Sequence, residues 1–91
     1  MRITTLEQFN ELKEDEYNKV THLYLYNKKL TTIDLSKLVN LEYLDVSNNR
    51  LKLIDISKNK KLISVNVCNN HLKSLDVIDN KNLRAIFFTN K

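Results

Sequence analysis

Apolar residues recur along this chain at two nested spacings. The short one is apolar-x-x-apolar-x-apolar, as in Leu41-Glu42-Tyr43-Leu44-Asp45-Val46. Its last three places run in, out, in, the alternation of a half-buried strand. The long spacing carries each such place onto an equivalent one further along. Val20, Leu41, Leu62 and Leu83 form one column, Leu23, Leu44, Val65 and Ile86 the next, and Leu25, Val46, Val67 and Phe88 a third. Leu30, Leu51 and Leu72, then Ile33, Ile54 and Leu75, then Leu35, Ile56 and Val77 complete six columns without insertion or deletion. Hydrophobic residues are 42% of the chain, so chance would fill about two places in five, yet every place is filled. A period this strict sets the architecture before any local propensity does.

The second half of each unit echoes the first, as in Leu51-x-x-Ile54-Asp55-Ile56, which predicts two short extended segments per unit. Between them lie polar corners such as Ser47-Asn48-Asn49-Arg50 and Ser57-Lys58-Asn59-Lys60-Lys61. The chain contains no Gly and 13 Asn. Corners that need positive φ must then use Asn, which tolerates the left-handed region better than other residues with a Cβ. Asn27, Asn48, Asn69 and Asn90 form the column expected to do so. No unit can bury its apolar edge alone. Stacked units, with strands about 4.8 Å apart, can share one continuous core. The expected units are 20–40, 41–61 and 62–82, with a partial one at 83–91.

The string L-x-x-L-x-L-x-x-N-x-L resembles the leucine-rich repeat family, clearest in Leu41 to Leu51 and in Leu62-x-x-Val65-x-Val67-x-x-Asn70-x-Leu72. The 21-residue length and the L-x-x-L-D-L-S second half are similar to a short bacterial and viral subclass. The resemblance covers Val20–Lys91. It implies an α/β fold, a right-handed solenoid of short parallel strands and turns, whose strands line a concave face and usually bind protein. It also implies an inward asparagine ladder, which Asn49 and Asn70 fit. Lys28 and Lys91 depart from the pattern at the equivalent places. Leu38, Asn59 and Asn80 are placed to form a second, partial ladder.

Residues 1–19 follow another pattern. Leu6, Phe9 and Leu12 recur at helical spacing, and Thr4 or Thr5 can cap a helix with Glu7 or Gln8 three residues on. An N-terminal capping helix and linker over the first apolar rung is the expectation.

Charge divides the chain. Residues 1–16 hold five acids against two bases, a sum of −3, and residues 17–91 hold 13 bases against six acids, a sum of +7. Lys37, Lys58, Lys60, Lys61 and Lys81 make one basic corner, and Lys28, Lys29, Arg50, Lys52 and Lys73 another. These edges suit solubility and the blunting of sheet aggregation, and they also permit phosphate contacts. One Cys excludes a disulfide framework, and the absence of Gly excludes Gly-rich phosphate loops. The start of the chain shows no apolar signal-peptide core and no run is long enough to span a membrane, so the expected setting is cytoplasmic.

Candidate functional positions are therefore surfaces. His22, Tyr24, Tyr26, Tyr43, Asp45, Asn66 and Phe87 are expected on the concave strand face, with Ser47, Ser64, Cys68, Ala85 and Thr89 beside them. Exposed aromatics on one sheet face suit protein binding, although Tyr and Phe also pack across strands for stability alone. The chain reaches Lys91 directly after Arg84-Ala85-Ile86-Phe87-Phe88-Thr89, so Ile86, Phe87 and Phe88 are expected to form an open edge able to pair with a second copy or a partner. Asp34, Asp55 and Asp76 stack in a column that is expected to be a solvated row offset by Lys37, Lys52, Lys58 and Lys73 rather than a metal site. Cys68 and His71 lack the third group that a nucleophile needs. The expectation is a non-enzymatic protein-interaction module without cofactor or metal. The alternatives are a basic binder of nucleic acid or another polyanion, and a small viral or mobile-element inhibitor or adaptor of a host protein.

Overall fold

The computed structural model describes residues 1–90 of the chain. Lys91, expected to interrupt the asparagine column, lies outside them. The fold is α/β, with five short strands in one all-parallel sheet. They are β1 (Arg2–Ile3), β2 (His22–Tyr24), β3 (Tyr43–Asp45), β4 (Ser64–Asn66) and β5 (Ala85–Phe87), in spatial order β1-β2-β3-β4-β5. A helix α1 (Leu6–Asn10) and a 3₁₀ turn at Tyr17–Lys19 are the helical elements among the described residues.

The strand register follows the columns of the repeat. Leu23 pairs with Leu44, Leu44 with Val65, and Val65 with Ile86. Backbone bonds recur at the same step: Leu25 N–H donates to Asp45 O at 2.8 Å, Val46 to Asn66 O at 3.0 Å, and Val67 to Phe87 O at 2.9 Å. A three-residue strand has no stability alone, so the apolar rows must hold the stack together. Val20, Leu41 and Leu62 are fully buried, and so are Leu23, Leu25, Val46, Val65 and Val67. The dimensions, 35 × 28 × 16 Å, are those of a slab one sheet thick with its return segments behind it.

Two expectations need correction. The segment 1–19 is not only a cap helix and linker. It contributes β1, whose Ile3 is buried and pairs with Leu23. The step from Ile3 to Leu23 is one position shorter than the step from Leu23 to Leu44. A single apolar residue between Arg2 and Thr4 also carries no periodicity, so the strand is invisible in the pattern. The helix itself spans only five residues. Thr5 caps it, its hydroxyl accepting from Gln8 N–H at 3.0 Å while Gln8 Oε1 accepts from Thr5 N–H at 3.2 Å. Leu6, Phe9 and Leu12 pack, half-buried, against the core.

The second extended segment of each unit forms no strand. Leu51 to Ile56 and Leu72 to Val77 run without ladder pairing. Their backbones touch the neighbouring segment at isolated points, with Arg50 N–H on Leu30 O and His71 N–H on Leu51 O, both at 2.8 Å. The inward residues still pack: Leu35, Leu51, Ile56 and Leu72 are buried. The places between them point out, and Leu53 is 84% exposed.

Truncating a row that is shared by neighbouring segments should be costly. Leu62→Ala removes a fully buried side chain and should destabilise by about 2–5 kcal/mol in urea unfolding, whereas Leu53→Ala should change stability by less than about 0.5 kcal/mol.

Candidate interaction surface

The corners decide where the strand-face side chains stand. Asn27, Asn48 and Asn69 take φ of 57°, 56° and 58°, as the glycine-free sequence requires. Lys29 also takes positive φ, 60°. A side chain of that length gains no local hydrogen bond in this region, at a cost of about 1–2 kcal/mol. Lys28 stands where the later corners carry Asn49 and Asn70, so this corner has no inward amide of its own. Asn49 from the next segment reaches back, and its Oδ1 accepts from Lys28 N–H and Leu30 N–H, both at 3.0 Å.

The buried asparagines bond the backbone of their own and the preceding segment. Asn49 Nδ2 donates to Leu25 O at 2.9 Å and Val46 O at 2.8 Å. Asn70 Nδ2 donates to Val46 O at 3.0 Å and Val67 O at 3.1 Å, while its Oδ1 accepts from Leu51 N–H at 3.0 Å. On the other side Asn59 Nδ2 bonds Leu35 O and Leu38 O, and Asn80 Nδ2 bonds Ile56 O and Asn59 O, at 2.9–3.0 Å. Each amide ties one segment to the one before it. The Oδ1 atoms of Asn59 and Asn80 are buried without a partner, so this second column is only half satisfied.

Held in this frame, the odd-facing strand residues gather on one side of the sheet. Tyr24, Tyr43, Asp45, Asn66 and Phe87 line a shallow depression of about 200 Å³ with Leu44 and Ser64. His22 stacks on Tyr43, ring centroids 4.7 Å apart and planes at 22°, and meets Tyr24 edge-on at 6.1 Å. Thr21 Oγ1 lies 2.8 Å from His22 Nδ1 and orients the imidazole. The guanidinium of Arg2 sits 5.5 Å over the Tyr24 ring, a residue of this face that the periodicity misses because β1 is missed. Tyr26 lies beyond the end of β2, exposed at the corner and apart from the depression.

Several expected positions are occupied by local turns. Asp45 Oδ1 accepts from Ser47 N–H at 2.9 Å and Ser47 Oγ–H at 2.6 Å, and Ser47 is buried rather than outward. Asn66 Oδ1 accepts from Cys68 N–H at 3.1 Å. Cys68 is a half-buried free thiol. On the outer side of β5, Ile86 and Phe87 are about half exposed, whereas Phe88 is partly buried against the core. Backbone direction alternates along a parallel strand. Ala85 N–H donates to Ile63 O and Phe87 O accepts from Val67, so the N–H and C=O of Ile86 face away from β4.

The aspartate column closes the return turns. Asp34 Oδ1 accepts from Ser36 Oγ–H at 2.7 Å and from Ser36 N–H at 3.0 Å, Asp55 from Ser57 N–H at 2.9 Å, and Asp76 from Ile78 N–H at 3.0 Å. The spacing D-x-S was readable as this turn in two of the three. Among the described residues no group of His, Cys, Asp or Glu could hold a metal ion. Lys37 offsets Asp34 by its charge, as expected, and its ammonium also bonds Glu14 at 3.1 Å, the one salt bridge among the described residues. That bond raises the Lys37 pKa, and the pair is exposed enough to contribute little stability.

No protein-family model matches the chain, and no curated protein matches it.

Two outcomes follow from these bonds. Asn70→Ala strands buried backbone groups on three residues and should cost roughly 2–4 kcal/mol in chemical unfolding. The Ser36 hydroxyl and then its N–H hold Asp34 below the ordinary 3.8, and Ser57 does the same for Asp55. Carboxyls depressed on folding stabilise above the unfolded value and lose that contribution as pH falls through the folded one. The stability–pH curve should therefore fall below about pH 3.8, and Asp34→Asn with Asp55→Asn should make that fall shallower.

Proposed function

We propose that this chain is a leucine-rich-repeat protein-interaction module. In this reading residues 20–91 form a right-handed solenoid, residues 1–19 cap it, and a partner protein is held on the strand face. The single observation that carries the reading is the aromatic group on that face: His22, Tyr24 and Tyr43 packed together, with Phe87 more than half exposed at the far strand. Aromatic side chains present large rigid area with few rotatable bonds, which suits binding anchors.

Size adds a constraint. Five strands about 4.8 Å apart and about 10 Å long make a face of roughly 200 Å² in plan, against about 800 Å² per partner in a standard interface. A partner on this face must extend over the corners, where Tyr26 stands, or the module must double its area. The backbone groups of Ile86 that face away from β4, beside the half-exposed Phe87, suit doubling by edge-to-edge pairing.

Replacing Tyr24, Tyr26 and Tyr43 together by Ser should abolish capture of protein partners in a pull-down, and unchanged capture would reject the strand face. Edge pairing predicts a concentration-dependent dimer in sedimentation that Ile86→Lys converts to monomer.

A further inference from the structure

Two grooves lie side by side on the return segments, away from the strand face. The larger, about 570 Å³, is lined by Lys52, Leu53, His71, Lys73, Ser74 and Asp76 among others. The smaller, about 320 Å³, is lined by Thr31, Thr32, Arg50, Lys52 and Leu53. A shift of one repeat carries one lining onto the other: Arg50 onto His71, Thr31 onto Lys52 and Lys52 onto Lys73, Thr32 onto Leu53 and Leu53 onto Ser74. The grooves are thus one feature repeated on adjacent segments, with Lys52 and Leu53 as the shared wall.

Its electrostatics are one-sided. Arg50, Lys52 and Lys73 are exposed, and none has a carboxylate within salt-bridge distance, since the one such pair among the described residues joins Lys37 to Glu14. Asp76 is the one acid on the lining, and its Oδ1 is taken by Ile78 N–H. In the midst of these cations stands Leu53, 84% exposed, where the equivalent positions of the neighbouring segments carry Thr32 and Ser74. A cationic wall with a free aliphatic side chain at its centre complements an anionic ligand that also has an apolar group.

We propose that this double groove docks an acidic peptide segment, an extended stretch with carboxylates on either side of one apolar residue. The charge of the wall dictates the sign of the occupant, and Leu53 dictates its mixed character. Alternate side chains of an extended peptide are about 7 Å apart and segments of the stack about 5 Å apart, so flexible Lys and Arg side chains on two segments reach neighbouring carboxylates. Nucleic acid is the weaker fit. Strands of nucleic acid bound without a sequence code stack successive bases on several aromatic rings, and the lining offers the single imidazole of His71. The site is independent of the strand face, and either can fail without the other.

The test is fluorescence anisotropy with a labelled peptide in which one leucine is flanked on both sides by glutamates, at low salt. Saturable binding is expected. Lys52→Glu with Lys73→Glu should weaken it at least about tenfold, because two attractions become repulsions. Leu53→Ser should weaken it by about threefold to tenfold, and replacing the peptide's leucine by serine should do the same to the wild-type protein. All three side chains are exposed, so these variants keep the fold, which circular dichroism checks; Lys58→Glu with Lys60→Glu, on the other corner, should bind as wild type. The proposal is overturned by absence of binding, by binding indifferent to Leu53 or to Lys52 and Lys73, or by tighter binding of an oligothymidine probe than of the peptide.

Discussion

A parallel strand of three residues forms too few hydrogen bonds to offset the entropy of ordering it. Every strand of this sheet is that short or shorter. The structure therefore depends on one constraint: each apolar side chain must lie directly over its counterpart in the next repeat, so that a row such as Leu23, Leu44 and Val65 becomes a single interior. A slip of one residue would turn every inward side chain to solvent. Register and core are the same property here, and a surface defined by the strands inherits its geometry from both.

The buried amides enforce that register from the inside. An asparagine that bonds the backbone of its own segment and of the preceding one satisfies polar groups that the glycine-free corners would otherwise leave exposed to an apolar core. The two columns are not equivalent. Asn49 and Asn70 use both ends of the amide, while Asn59 and Asn80 leave an acceptor unpaired and bind through Nδ2 alone. The first corner shows what happens without such a residue. Lys28 stands in place of the amide, Lys29 takes the left-handed region, and Asn49 spans the gap from the next segment.

The same stacking explains why the surfaces come in rows. Identical corners place equivalent residues at each level, so one substitution pattern along a column makes an aromatic face and another makes a cationic groove. The stack itself is indifferent to what the outward places carry. Tyr24 and Tyr43 stand on one side, and Lys52, Leu53 and Lys73 on the other.

The amino-acid sequence by itself determined the period, the inward columns, the asparagine corners and a capped helix start at Thr4 or Thr5, because each is a local rule that the residues obey in plain view. It carried the strand-face residues too, as the outward places of a period-two pattern. It could not reveal β1, since a single buried Ile3 has no neighbours to make a pattern and its shorter step to Leu23 breaks the count. Nor could it show that the return segments lack strand pairing, that Ser47 turns inward, or that Lys37 reaches Glu14. The double groove was equally hidden, since its two walls come from residues a full repeat apart in the chain. Those outcomes belong to the tertiary structure because they depend on which backbone groups come within bonding distance once the segments are stacked, and no window of sequence contains both partners.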